Sequence, residues 1–415
     1  MFSPVIFTQD GKVMGSCSIF KLKTMAMKSF FLLAFLSFLS LSEKKFISPN
    51  TGIPGIQTGA SQLHQWAPAL KGKKIGLVVN HTATVGNTHL ADTLRSLGLN
   101  IVKIFSPEHG FRGNADAGEH IQDGIDSKTG LPVISLYGEN RKPRKEQISD
   151  LDILIFDIQD VGVRFYTYIS TLHYVMEACA ENQKKLMVLD RPNPNGNYVD
   201  GPIRKDKFKS FVGMHPIPVV HGLTIGELAF MINGEKWLAD GLTCDLEVVS
   251  VKNWKHDQPY PIPVKPSPNL PNDQAIKLYP SLCFFEGTAM SVGRGTLTPF
   301  QILGHPSLKN MPFEFTPKSI EGMAKNPKFE NEKCYGLDLT QAKVLPQLNI
   351  QYLIDFYNQF PEKDEFFNNY FNKLAGNSEL KEQIIKGLSA KEIRSSWKTE
   401  IDAYLKIRKK YLRYP

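Results

Sequence analysis

Cysteine is scarce in this sequence, and its five residues lie far apart: Cys17, Cys179, Cys244, Cys283 and Cys334. None of the spacings matches the closely paired cysteines of a structural zinc site. The wide separation also argues against the dense disulfide framework of a small secreted domain. Because Cys179 lies on an apolar helix face, we expect it to be a buried thiol rather than half of a disulfide.

The sequence also lacks the glycine-rich turns that bind nucleotides. The first predicted strand, "KKIGLVVN", continues into "HTATVGN", which is neither G-x-G-x-x-G nor a phosphate-binding loop. The zinc motif H-E-x-x-H and the serine-hydrolase turn G-x-S-x-G are missing as well. These absences argue against a dinucleotide-binding enzyme and a serine hydrolase, and they weaken the case for a metal hydrolase. We expect no cofactor and no metal ligands.

The composition is that of a globular protein. The 415 residues are 42% hydrophobic and 22% charged, which leaves room for two domains. The net charge of +8 comes from scattered basic residues, some of them in the N-terminal segment. A modest, dispersed surplus of this kind indicates a solvated surface, and we expect no nucleic-acid partner.

A secretory signal peptide is predicted within residues 1–42. The segment "MAMKSFFLLAFLSFLSLSEKK" has a basic start, an apolar stretch too short to cross a bilayer comfortably, and small residues before a charged flank. Met25 or Met27 fits as the initiator, because residues 1–24 precede the natural start of such a signal. The protein is therefore expected to be exported, periplasmic or extracellular, without stable membrane insertion after cleavage. The alternative is a retained N-terminal anchor.

From about Lys73 the sequence alternates short β-branched runs with amphipathic stretches, the pattern of a parallel α/β sheet. The predicted class is α/β, with a Rossmann-like, mostly parallel sheet domain over residues 50–260. A smaller C-terminal α+β domain over residues 261–415 is expected to complete a cleft. Its last helix should follow a capping box at Ser389 and Glu392.

Polar residues follow each predicted strand, and ligands of open α/β sheets bind at the carboxyl ends of the strands. An isolated polar residue there often only caps a turn. Four strands that all end in polar clusters favour a shared site instead. The residues in question are Asn80 with His81, Glu108 with His109, Asp157 with Gln159 and Asp160, and Asp190 with Arg191 and Asn193.

Further polar and aromatic residues suit a sugar that carries a carboxylate. Arg164 and Tyr166 follow the fourth strand, and arginine binds carboxylates while aromatic faces pack on sugar rings. The alternating tyrosines of this stretch are equally typical of a strand surface. Asn269, Glu286 and Arg294 lie in later loops, and Glu286 stands among apolar residues, where an acid can keep its proton.

Among the reactions considered, glycoside hydrolysis is the one whose required residues are all present. It requires two carboxyl groups about the scissile bond, one of which must hold a proton. Glu108, Asp160 and Glu286 are the candidates for those roles.

Several long strings, in order along the chain, resemble the exo-β-N-acetylmuramidases of the NamZ type: "FSPEHGFRG", "DILIFDIQDVGVRFYTYISTL", "VLDRPNPNG", "HGLTIGELA", "PSPNLP" and "EGTAMSVGRGT". The resemblance runs from about Thr51 to the terminal "RKKYLRYP". It implies an exported enzyme that removes N-acetylmuramic acid from the non-reducing end of peptidoglycan fragments. The "PEHG" string places the catalytic role on Glu108.

The resulting hypothesis is that Glu108 protonates the glycosidic oxygen, with His109 orienting it. A second carboxylate, preferably Asp160, activates water or attacks the anomeric carbon. Arg164 or Arg294 should bind the lactyl carboxylate of the muramic acid. Two alternatives stay open: a non-catalytic receptor for peptidoglycan fragments, and a metal-dependent amidase or deacetylase acting on such fragments.

Overall fold

A mostly parallel β-sheet forms the scaffold of the protein. The structure, a computed structural model, describes residues 55–108, 110–112 and 123–415. The predicted signal peptide over residues 1–42 and the predicted site residue His109 lie outside these described residues. The strands of the described ranges are β1 (Ile75–Val79), β2 (Thr84–Val85), β3 (Thr88–His89), β4 (Ile101–Ser106), β5 (Gly124–Ile125), β6 (Pro132–Ser135), β7 (Ile153–Asp157), β8 (Lys185–Leu189), β9 (Asp245–Val249), β10 (Ile302–His305), β11 (Phe313–Phe315) and β12 (Cys334–Asp338).

The helices are short, and several of them cover the faces of the sheet. Those of the described ranges are α1 (Leu63–Trp66), α2 (Leu90–Ser96), α3 (Lys145–Ile148), α4 (Tyr168–Glu181), α5 (Ile225–Gly234), α6 (Asp273–Leu282), α7 (Gln351–Gln359), α8 (Phe371–Ala375), α9 (Glu379–Ile385), α10 (Ala390–Ser396) and α11 (Lys398–Arg408).

In the described part of the chain the main sheet has the strand order β5-β6-β4-β1-β7-β8-β9, and all neighbours are parallel except β5 and β6. Every residue of β1 and β7 is buried, as expected for strands covered on both faces. Leu77 and Val79 pack into one hydrophobic cluster and Val78 into another, so the sheet separates two parts of the core. The predicted α/β class is confirmed.

The strand order switches sides at β1, because β4 and β6 lie on one side of it and β7, β8 and β9 on the other. Strand β1 pairs with β4 on one side and with β7 on the other. The loops that follow these strands therefore diverge at the carboxyl edge and leave a crevice between them. This topology places the residues after β4, Glu108 among them, next to the crevice.

Helix α5 shows how side chains fix the ends of the elements around that edge. Thr224 and Glu227 form a reciprocal capping box at its start. The buried Asp190 carboxylate, at the end of β8, accepts hydrogen bonds from the Gly226 N–H and from the Thr224 and Tyr414 hydroxyls. Burial raises the pKa of Asp190 to about 6. Its role is to join β8 to α5 and to the C-terminal segment.

The C-terminal part combines a small antiparallel sheet, ordered β10-β12-β11, with helices α7 to α11. The capping box predicted at Ser389 and Glu392 is present at the start of α10. The single helix predicted after it is instead two helices, because α10 ends at Ser396, α11 begins at Lys398, and the non-helical Trp397 lies between them. The described cysteines Cys179, Cys244, Cys283 and Cys334 are all buried free thiols, as predicted for Cys179.

Candidate active site

A cavity of about 650 Å³ lies beside the carboxyl edge of the sheet. Its walls come from the loops after β4, β6 and β7, from residues 210–212, from the proline-rich loop before α6, and from several segments of the C-terminal part. Two carboxylates line it, Glu108 and Glu286. The polar side chains around them are Tyr137, Arg141, Tyr166, Thr167, Tyr168, Ser210, Ser267, Asn269, Tyr279, Ser291, Arg294, Lys328, Tyr370 and Lys373.

Glu108 lies in a tight turn after β4. The Gly110 N–H donates to the Pro107 carbonyl over 3.2 Å, and Gly110 adopts a φ of 73°, a left-handed conformation that favours glycine. The Thr167 hydroxyl donates to Glu108 Oε2 over 3.3 Å, and the Tyr168 hydroxyl lies 3.5 Å from the Glu108 carbonyl oxygen. The start of α4 thus contacts both the carboxylate and the backbone of this residue.

Glu286 enters the cavity from a 3₁₀ helix, Cys283–Gly287, that follows α6. Arg294 donates from Nε to Glu286 Oε1 over 2.8 Å, and the Cys283 thiol lies 3.7 Å from Oε2. The Arg294 guanidinium also sits 5.1 Å from the centroid of the Phe300 ring. Burial disfavours the charged guanidinium, but the Glu286 carboxylate outweighs it and raises the pKa of Arg294.

Aromatic rings form one side of the cavity. The rings of Tyr166 and Tyr168 meet edge to face at 5.0 Å, and Tyr166 meets Tyr279 in the same way at 5.9 Å. The Tyr166 hydroxyl donates to the Pro266 carbonyl over 2.8 Å, which fixes the ring. Such a surface offers a sugar both apolar area and edges that can form hydrogen bonds. The stretch around Tyr166 and Tyr168 is a turn leading into α4, and the alternative of a strand surface is wrong.

Cationic side chains are also present in the cavity. Lys328 donates from Nζ to the Thr288 carbonyl over 2.7 Å, and desolvation by burial lowers its pKa. The Arg141 guanidinium lies 4.4 Å from the centroid of the Phe211 ring at the rim. Together with Arg294 these groups provide positive charge for an acidic ligand.

The buried Asp160 does not belong to the described lining of this cavity. Its Oδ2 accepts the Gly162 N–H over 2.6 Å, while Oδ1 has no hydrogen-bond partner among the described residues. Burial raises the pKa of Asp160 to about 7. Asp160 is close enough to Tyr166 and Tyr168 for its charge to raise the pKa of both hydroxyls. The structure therefore does not favour the expected direct contact of Asp160 with a reacting sugar.

Arg164 was expected to bind the substrate, but it is completely buried and is absent from the described lining of the cavity. Its Nη1 donates to the Pro202 and Ile217 carbonyls, both over 2.7 Å, and its Nη2 donates to the Leu374 and Ala375 carbonyls over 2.9 and 2.7 Å. Desolvation lowers its pKa to about 9. This arginine joins two distant chain segments, so the structure replaces the expected ligand contact with a structural role.

Four more of the predicted substrate-binding residues are buried beneath the cavity, outside its described lining. Arg191 forms a bidentate ion pair with Asp157, with N–O distances of 2.6 and 2.9 Å. Asn193 and Gln159 each donate to a backbone carbonyl over 2.8 Å, and Asn80 accepts from a threonine in its own turn. These groups build the carboxyl edge and support the loops that reach the cavity.

Five of the predicted site residues do line the cavity: Glu108, Tyr166, Asn269, Glu286 and Arg294. The sequence did not point to Lys328 or Tyr370, which come from the C-terminal part. Thr167, within "FYTY", was not predicted either, because only the fold brings its hydroxyl to the Glu108 carboxylate, 59 residues away along the chain.

No group of three or more His, Cys, Asp or Glu side chains within the described ranges is placed to hold a metal ion. Nor does any helix of those ranges combine the length and apolarity that a membrane crossing requires.

Comparisons with known proteins agree with this architecture. Residues 75–274 match the model of the exo-β-N-acetylmuramidase NamZ N-terminal domain, and residues 277–414 match that of its C-terminal domain. The predicted division at residues 260 and 261 stays a prediction. The peptidoglycan β-N-acetylmuramidase NamZ of Bacillus subtilis is 40% identical over 386 residues, which are 87% of this chain and 92% of the relative.

Two crystal structures of DUF1343 family proteins from Bacteroides fragilis have similar folds. One is 48% identical with a TM-score of 0.80 and covers 86% of this chain and 99% of its own. The other is 31% identical with a TM-score of 0.73 and covers 87% of this chain and 99% of its own. Two family models that together span most of the chain, and a relative of this similarity, show that the chain belongs to the exo-β-N-acetylmuramidase NamZ family.

Proposed function

We propose that this protein is an exo-acting glycoside hydrolase that releases N-acetylmuramic acid from the non-reducing end of peptidoglycan fragments. The observation that carries the proposal is the pair of carboxylates, Glu108 and Glu286, in one cavity with an aromatic wall. Two carboxyl groups facing one space are what glycosidic cleavage requires. The family relationship makes a muramic acid glycoside the substrate to test.

The surroundings of the two carboxylates assign them different roles. Arg294 forms an ion pair with Glu286 and holds this carboxylate in one orientation in the cavity, which suits a group that activates water or attacks the anomeric carbon. Glu108 then protonates the leaving oxygen, held in place by the Thr167 hydroxyl. Glu286 takes the role for which Asp160 was the first choice, because Glu286 lines the cavity.

Recognition of the sugar acid falls to cations inside the cavity. The lactyl group of muramic acid carries a carboxylate, and Lys328 and Arg294 both face the space where such a sugar would lie. Arg294 donates to Glu286 through Nε, and we expect its two terminal nitrogens to bind the ligand. Arg164, the other cation that the sequence suggested for this role, instead donates hydrogen bonds to backbone carbonyls.

The deciding experiment incubates the purified protein with a MurNAc–GlcNAc disaccharide, with and without a chelator. We expect free MurNAc to be released in both conditions. Binding without release would favour the receptor alternative, and release of acetate or loss of activity with chelator would favour a metal-dependent amidase or deacetylase. Glu108→Gln should lower kcat about 100-fold or more, because the amide cannot give up a proton.

The same proposal includes export to the periplasm or the extracellular space, which rests on the apolar segment from Phe30 to about Leu41. Substrate availability agrees with it, since peptidoglycan lies outside the cytoplasmic membrane. Cell fractionation together with N-terminal sequencing of the mature protein tests this part. An intact N-terminus on a membrane-associated protein would indicate a retained anchor.

A further inference from the structure

Tyr370 stands at the cavity wall on a segment that packs directly against Glu286. Phe367 forms an antiparallel bridge with Thr288, and the Asn368 N–H donates to the Gly287 carbonyl over 3.0 Å. The Asn368 side chain extends this contact, since Nδ2 donates to the Glu286 carbonyl over 3.3 Å and Oδ1 accepts the Tyr370 N–H over 2.8 Å. Asn368 therefore ties the backbones of Glu286 and Tyr370 together.

The close packing at Gly287 leaves little freedom in this arrangement. A Cβ atom at Gly287 would lie 2.5 Å from the Phe371 Cα atom, a distance that no side chain tolerates. The residue next to Tyr370 thus rests on the backbone that carries Glu286. Such contact between two backbones holds functional groups more precisely than a loop that is free on one side.

The Tyr370 side chain is 37% exposed and lines the cavity together with both carboxylates. Burial raises the pKa of its hydroxyl, and the nearby Cys283, Glu286 and Glu108 add to the effect. A phenol with an ordinary pKa of about 10 is already protonated at neutral pH, so Tyr370 offers the cavity a hydrogen-bond donor near both carboxylates.

We propose that Tyr370 is a further catalytic residue, whose hydroxyl donates a hydrogen bond to the sugar at the point of cleavage. This role rests on the proposed glycosidase function. The phenol stays protonated throughout, so the proton for the leaving oxygen still comes from Glu108. A neutral donor fixed beside the scissile bond stabilises charge that grows on a substrate oxygen in the transition state.

The test compares wild type with Tyr370→Phe on the MurNAc–GlcNAc disaccharide. The variant keeps the ring and loses only the hydroxyl, so the fold should be retained, which the thermal unfolding midpoint verifies. We expect kcat to fall about 10- to 100-fold while KM changes less than about threefold, the signature of an interaction made in the transition state. Tyr357→Phe is the matched control, because Tyr357 lies outside the described lining of the cavity; it should keep wild-type kcat.

Other outcomes separate the two proposals. Unchanged kcat in Tyr370→Phe, or a higher KM alone, overturns the catalytic role and leaves the glycosidase function standing. A wild-type protein that releases no MurNAc overturns the glycosidase function and this role with it.

Discussion

Arg294 and Glu286 form an ion pair inside the cavity, with Nε 2.8 Å from Oε1. Their side chains are 28% and 26% exposed, so solvent screens the pair less than it would a surface salt bridge. Cys283 approaches the other carboxylate oxygen. Both oxygens of Glu286 therefore have defined partners, which fixes the direction in which this carboxylate faces a sugar.

Glu286→Gln should lower kcat about 100-fold or more on the disaccharide, because the amide is neither a base nor an effective nucleophile. Substrate binding should change little, since the side-chain volume is preserved. Steady-state kinetics of MurNAc release measure both effects. Glu314→Gln is the control, because Glu314 is an exposed partner of Lys333 in the small sheet. A Glu286→Gln variant with wild-type kcat would show that Glu286 is not the second catalytic carboxylate.

Lys328→Met should weaken binding of MurNAc about 10-fold and leave the weaker binding of GlcNAc nearly unchanged. The difference arises because only MurNAc carries the lactyl carboxylate that an ammonium group attracts. Calorimetric titration of the two free sugars gives the ratio directly. Lys309→Met, at an exposed position, should leave both affinities as in wild type. Equal losses for both sugars in Lys328→Met would contradict recognition of the carboxylate.

Arg191→Met should lower the free energy of unfolding by about 3–5 kcal/mol, because it leaves the buried Asp157 carboxylate without its partner. The double variant Arg191→Met/Asp157→Leu should be more stable than the single one, since no charge is then left unpaired. Urea denaturation measures both. Lys333→Met, which breaks an exposed ion pair, should leave the free energy of unfolding nearly unchanged. A double variant as unstable as the single one would argue against this account.

Asp160→Asn should remove one contribution to the dependence of stability on pH between about 4 and 7. Burial raises the pKa of Asp160 from 3.8 to about 7, so in this range the folded state holds a proton that the unfolded state releases. The contribution of Asp160 to the free energy of unfolding of the wild type therefore decreases as pH rises. Asparagine has no such proton, so the stability of the variant relative to wild type should increase by roughly 3 kcal/mol across the range.

Denaturation at several pH values measures this difference. Buried histidines such as His89, whose pKa is lowered by burial to about 4, contribute a slope of the opposite sign. They are common to both proteins and cancel in the comparison. Parallel stability curves for variant and wild type would show that Asp160 is ionised in the folded state throughout.

The main sheet was predictable because each of its strands has a recognisable local sequence pattern. Runs such as "IGLVV" and "ILIFD" are short, apolar and rich in β-branched residues, and amphipathic stretches lie between them. The split between α10 and α11 was not predictable in this way. The apolar spacing continues across Trp397, whereas the backbone of Trp397, with φ of -99° and ψ of 1°, leaves the helical conformation.

The site was predictable in its location but only partly in its members. The carboxyl edge of a parallel sheet gathers polar groups, yet the sequence does not tell which of them the protein uses for its own loops. Asp160, Arg191 and Asn193 form hydrogen bonds or ion pairs within the loops themselves, whereas Glu108 lines the cavity. Tyr370 depends on contacts between segments about eighty residues apart, for which no local pattern exists.

Arg164 has a consequence for how the polypeptide can be divided. It lies within residues 75–274, matched by the N-terminal family model, yet two of its four carbonyl acceptors, Leu374 and Ala375, belong to residues 277–414, matched by the C-terminal one. A fragment ending near residue 274 would keep the guanidinium and lose half of its acceptors. We therefore expect the two halves to be insoluble when produced separately and to recover activity only when they are produced together, as a split enzyme.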